Sequence, residues 1–153
     1  MNVKSDNQEY LILLLTGERV LLPISTVQLV LSLPMLQILP DQDPAFSGLL
    51  NYHGKGIAVY DLSQLINPSV SLKTTIDTPL ILTHVSDFNM GILVTDVLGL
   101  ATISSAVLQP PPSDAMSYVK ALVENQNETA WVLDLEQLII HHRLQLKHEL
   151  SNE

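Results

Sequence analysis

Three aspartates, Asp61, Asp96 and Asp134, each close an apolar run: IAVYD, ILVTD and AWVLD. Carboxylates gathered at strand ends can serve acid–base chemistry or hold magnesium. Two of them, however, open the same pattern, Asp-Leu-x-Gln-Leu-Ile, at Asp61 and Asp134. An aspartate N-cap accepts from the free amides of a first helical turn, and a glutamine three residues on can reach back. That spacing reads as two helix caps, with Asp96 as a turn or cap. Five histidines raise the question of a metal. His141 and His148 lie two helical turns apart, His142 stands beside them, and no cysteine or acid completes a ligand set. With Arg143 and Lys147 they suit an exposed helix C-terminus facing the negative end of the dipole. His84 alternates with apolar neighbours and reads as a satisfied, half-buried strand residue. There is no Gly-x-Ser-x-Gly elbow, no glycine-rich phosphate loop and no cysteine, so nothing supports an enzyme, a cofactor or a metal centre.

The elements that carry these residues are short. The chain has 153 residues, 46% hydrophobic and 15% charged, which suits one folded domain and not a disordered chain. Its formal charge of −9 repels phosphate backbones, so nucleic acid is not expected as a partner. The run Leu11–Leu15 follows acidic residues and lacks a cleavage site, so it does not read as a signal peptide. Val20 to Pro40 carries no charge, but three prolines, scattered polar residues and the alternation Val27, Leu29, Leu31, Leu33 argue for a strand and against membrane insertion. Strands are expected at Tyr10–Thr16, Val20–Pro23, Val27–Leu33, Gly48–Tyr52, Ile57–Asp61, Pro79–Val85, Gly91–Val97, Leu100–Ser104, Tyr118–Glu124 and Thr129–Leu133. Turns are expected at Gly17-Glu18, His53-Gly54-Lys55-Gly56, Asp87-Phe88-Asn89 and Asn125-Gln126-Asn127. Such a series indicates small barrels or a sandwich.

An internal repeat organises the series. Leu49–Ile66 aligns without gaps on Leu122–Ile139, with Val59/Val132, Asp61/Asp134, Leu62/Leu135, Gln64/Gln137, Leu65/Leu138 and Ile66/Ile139 matching. Each copy reads as a hairpin whose second strand runs into a capped helix. Two related β-subdomains follow, from units near residues 10–66 and 79–139 within one domain over 8–146, with tails at 1–7 and 147–153.

Leu22-Pro23-Ile24-Ser25-Thr26-Val27, Gly48-Leu49-Leu50-Asn51-Tyr52-His53-Gly54, Ile57-Ala58-Val59-Tyr60-Asp61-Leu62, Gly91–Val97 and Trp131–Leu135 follow one another as five motifs. Together they resemble the CheW-like chemotaxis adaptors from about Tyr10 to Ile140. The resemblance implies a mainly β fold, two SH3-like five-stranded β-barrel subdomains with short helices and a C-terminal helix. It implies a non-enzymatic, cytoplasmic adaptor that couples the signalling tip of methyl-accepting chemoreceptors to a CheA-type histidine autokinase through its regulatory domain. Partner contacts would then fall on Val27, Leu29, Asn51, His53, Gly54 and Ile57. Two positions depart from the family pattern: His53 replaces an arginine, and Ala58 a proline. Arginine is a permanent five-donor fork, whereas an imidazole is usually neutral at pH 7, so receptor binding is expected to be weaker where His53 is neutral than where it is protonated. The alternative is a divergent module of the same fold that binds another protein or a small ligand outside a receptor–kinase array.

Overall fold

Alternating branched residues, paired into hairpins by tight turns, produce ten strands in the computed structural model, which describes residues 6–40, 43–125 and 127–151 (125 and 144–151 as backbone). They are β1 (Asn7–Leu15), β2 (Glu18–Pro23), β3 (Val27–Ser32), β4 (Phe46–Tyr52), β5 (Lys55–Asp61), β6 (Pro79–Val85), β7 (Phe88–Leu93), β8 (Asp96–Ser104), β9 (Val119–Asn125) and β10 (Glu128–Leu133). Helix α1 (Leu62–Ile66) follows β5, and α2 (Leu135–Ser151) follows β10. Residues 1–5 and 152–153, parts of the expected tails, lie outside the described residues, as does Gln126 of the expected third-hairpin turn.

The strands form two five-stranded sheets, sheet A in the order β8-β1-β2-β10-β9 and sheet B in the order β3-β6-β7-β5-β4. The two orders are the same arrangement twice. β10 runs parallel to β2 as β5 runs parallel to β7, and all other pairs are antiparallel. Even the bulges correspond, between Ile12 and Leu13 opposite β8 and between Val27 and Leu29 opposite β6. The subdomains are SH3-like, but neither sheet is a closed ring of hydrogen bonds. Single bridges, Gln37 with Leu49 and Gln109 with Leu122, draw the connecting segments alongside the β4 and β9 edges.

Each sequence repeat contributes to both sheets. β1 and β2 build sheet A, whereas β3 to β5 of the same half build sheet B; the second half does the reverse. Pro23 ends β2, and a 3₁₀ turn over Ile24–Thr26, tied by Thr26 Oγ1 donating to the Pro23 carbonyl at 2.8 Å, carries the chain across. The return crossing is two residues long. Val94 N still bonds Pro79 O in sheet B at 3.3 Å, and Thr95 N already bonds Leu14 O in sheet A at 3.1 Å. The run Gly91–Val97 is therefore two strand ends, with Asp96 opening β8.

Period-two alternation splits the apolar residues among three clusters. Leu11, Leu13, Leu15, Val20 and Leu22 of sheet A meet Ile81, Met90 and Ile92 of sheet B, and the helices close this shared core with Leu62, Leu65, Leu135 and Leu138. The opposite faces fill each sheet's own concavity: Leu50, Ile57, Val59, Leu80, Leu82 and Leu93 in sheet B, and Tyr10, Leu21, Ala121 and Val132 in sheet A.

Candidate functional site

The β4–β5 hairpin turns through two residues, His53 and Gly54, because Tyr52 pairs with Lys55. Both have positive φ, 51° and 80°, the type I′ geometry that matches strand twist. Glycine adopts that backbone without strain, and histidine is among the side chains that tolerate it. The imidazole stands exposed, edge-on to the Tyr52 ring with centroids 4.2 Å apart. Asn51 is exposed beside it on β4. Ile57, by contrast, is buried in the sheet B core and supports the hairpin from within.

Val27 and Leu29 lie on β3, the opposite edge of the same sheet. Val27 is half-buried against the shared core. Leu29 and its neighbour Val30 are 36% and 41% exposed, and among the described residues β6 is the only strand with which β3 pairs. The expected partner residues thus form two groups on two edges, with Ile57 beneath one of them. The segment after β3 adds Met35 and Ile38, 94% and 85% exposed, which strand periodicity could not flag because Pro34 and Pro40 bracket an irregular stretch. On sheet A, Leu100 is 63% exposed on β8, in the place Val30 occupies on β3.

The acids occupy structural positions. Asp61 Oδ1 accepts from Gln64 N at 3.4 Å and Oδ2 from Leu72 N at 2.8 Å. Asp134 Oδ1 accepts from Gln137 N at 3.1 Å. Asp61 N bonds Ala45 O and Asp134 N bonds Tyr118 O, both at 2.8 Å, so positions 73 residues apart are held identically. Asp96 Oδ1 accepts from Val97 N at 2.8 Å. Among the described residues no three acids or histidines stand close enough to share a metal ion.

The histidines differ from the sequence reading. His84 is exposed, with Nδ1 2.6 Å from Asn89 Oδ1 on the paired strand. His142 is buried and not part of an exposed helix end: Nε2 lies 2.8 Å from Asp43 Oδ2, and both side chains are about nine-tenths covered. Its neighbour Arg143 lies over the Phe88 ring, 5.2 Å from the centroid. These contacts seat α2 against sheet B around a cavity of about 260 Å³ that Tyr60, Leu65 and Met90 also line. Helical spacing alone could not identify the buried member, because Asp43 is 99 residues away. Burial raises the Tyr10 hydroxyl above its ordinary value, and burial followed by the charge of Glu18 raises that of Tyr118.

The family model described as CheW-like domain matches residues 9–143 of the chain. The crystal structure of the scaffolding protein TtCheW from Thermoanaerobacter tengcongensis matches with a TM-score of 0.77 at 20% identity, covering 86% of this chain and 91% of that one. At that identity the likeness is one of fold. No curated protein matches significantly. No helix among the described residues is long and apolar enough to cross a membrane.

Proposed function

This chain belongs to the CheW-like domain family, and we propose that it is a non-enzymatic adaptor of chemosensory signalling. It couples the cytoplasmic tip of methyl-accepting chemoreceptors to a CheA-type histidine autokinase, within the cytoplasm at membrane-associated receptor arrays, and so controls motility. The observation that carries this reading is the bare apolar edge of β3. A free edge strand with exposed Leu29 and Val30 is a liability unless something covers it. The covering partner in this reading is the kinase's regulatory domain, which burial of a standard interface of roughly 1,200–2,000 Å² would hold. Because Leu29 and Val30 are uncharged, that contact weakens little with salt. The receptor tip falls to the second group, Asn51, His53 and Gly54, where exposed polar groups surround a rigid two-residue turn.

Calorimetric titration of a CheA-type regulatory domain into the wild type and into Leu29→Asp tests the reading. Saturable binding to the wild type and at least about a tenfold loss in the variant are expected, because a carboxylate at the contact is desolvated without a partner. Absence of binding to the wild type would leave the module to another partner.

A further inference from the structure

The duplication makes sheet B a template for what sheet A lacks. Val132 pairs with Leu21 as Val59 pairs with Gly91, and Ile12 and Leu82 sit across from those partners. Following the ladders outward, Tyr10 faces Ala101 where Leu80 faces Leu31. The repeat places Ala130 opposite Ile57 and Val123 opposite Leu50. In sheet B the inward residues Leu50, Ile57 and Leu82 are 5%, 7% and 1% exposed. Their counterparts Val123, Ala130 and Ile12 are only half-buried. Two branched side chains of sheet B, Leu31 and Ile57, are thus alanines in sheet A, and the space they would fill is open.

That space is a cavity of about 530 Å³, floored by Ile12, Leu21, Ile103 and Val123 and walled by Ala101 and Ala130. It lies between the two edges of the curled sheet, β8 on one side and β9 on the other. Arg19, Glu124 and Glu128 also border it. Arg19 is engaged by Glu128, whereas Glu124 has no partner among the described residues, so the border carries net negative charge.

We infer that the concavity of sheet A is a docking slot for an extended segment of a partner protein that carries branched aliphatic side chains flanked by lysine or arginine. The aliphatic groups supply what Leu31 and Ile57 supply in sheet B, and the basic groups meet Glu124, beside the Arg19–Glu128 pair. The segment is extended because the slot runs between two strand edges, and β8, on the side away from the Gln109–Leu122 bridge, offers outward backbone groups to an added strand. This site lies on the other sheet from β3 and does not rest on the adaptor reading.

The test is fluorescence polarisation of a labelled peptide, acetyl-Lys-Ile-Lys-Leu-Lys-Ile-amide, titrated with the full chain. Saturable binding is expected, lost when the Ile and Leu residues become alanine and lost when the lysines become glutamate. Ala130→Ile and Ala101→Leu, which install the residues of sheet B, should each weaken binding at least about tenfold by filling the slot. Glu124→Lys, on the exposed border, should weaken it without touching the core, which keeps the test decisive if a filling variant fails to fold. No saturable binding to the wild type overturns the proposal. So does equal binding of the alanine peptide, or undiminished binding in a folded filling variant. Capture of decanoate in place of the peptide also overturns it, in favour of a small apolar ligand.

Discussion

Asp61→Ala should destabilise the protein far more than Asp134→Ala, although the two aspartates occupy equivalent positions. Each caps a helix, and loss of a cap costs about 1 kcal/mol. Asp61 does a second thing. Its Oδ2 accepts from Leu72 N at 2.8 Å, holding the loop between the repeats so that Leu72 packs on the sheet B core. A hydrogen bond to a charged group contributes about 1.5–3 kcal/mol. Asp61→Ala should therefore cost about 2.5–4 kcal/mol in all, against about 1 kcal/mol for Asp134→Ala. With a urea m-value of about 2 kcal/mol/M, the two midpoints should differ by about 0.8–1.5 M at unchanged slope. Lys73, next to the tie, supplies a second readout: trypsin should cleave after it faster in Asp61→Ala than in Asp134→Ala. Equal midpoint shifts in the two variants, with equal cleavage, would refute the reasoning, because the loop tie would then contribute nothing.

Gly48→Ala should lose about 1–3 kcal/mol on chemical denaturation: its φ is 147° and a Cβ there would sit 2.9 Å from the Gln37 carbonyl oxygen, against the Gln37–Leu49 bridge at the β4 edge. Gly54→Ala, with φ 80° but open space around it, should lose only the smaller cost of strain at the turn. Stability should fall as pH rises above 10.0, because Tyr10 and Tyr118 ionise later in the folded chain than in the unfolded one. Their contribution is complete below the unfolded value and is lost as pH climbs through the raised folded values, and an alkaline absorbance titration should show two tyrosines lagging. His53→Arg should strengthen binding of a receptor signalling-tip fragment by a charge-assisted bond worth roughly 1.5–3 kcal/mol, and unchanged affinity would remove position 53 from the interface.

Nine strands were legible near their observed places, because alternation of branched residues is a local signal and the turns between them carry polar or glycine residues; the run expected as a strand at Gly91–Val97 instead straddles the end of β7 and the start of β8. The turns themselves sit slightly earlier than composition suggests. β1–β2, β4–β5 and β6–β7 reverse at Thr16-Gly17, His53-Gly54 and Ser86-Asp87, with Thr16, His53 and Ser86 all at positive φ. Sequence reasoning centred each turn on its glycine or aspartate and did not anticipate threonine or serine in that conformation. The repeat identified the paired capped hairpins, yet not the exchange of strands between sheets. Which hairpin β3 joins is decided by pairing with β6, some fifty residues away, and no local pattern reports that. The candidate surface shows the same limit. The exposure of Leu29 and the burial of Ile57 depend on which face each strand turns inward, and His142 is buried only because Asp43 lies across from it.

The central claim is coupling, and it is tested most directly by the autophosphorylation rate of a CheA-type kinase mixed with receptor signalling fragments, with and without this protein. The account predicts that adding the wild type raises the rate in a saturable, receptor-dependent manner, and that Leu29→Asp, folded but altered on the β3 edge, does not. A rate unchanged by the wild type, or raised equally by Leu29→Asp, would contradict it.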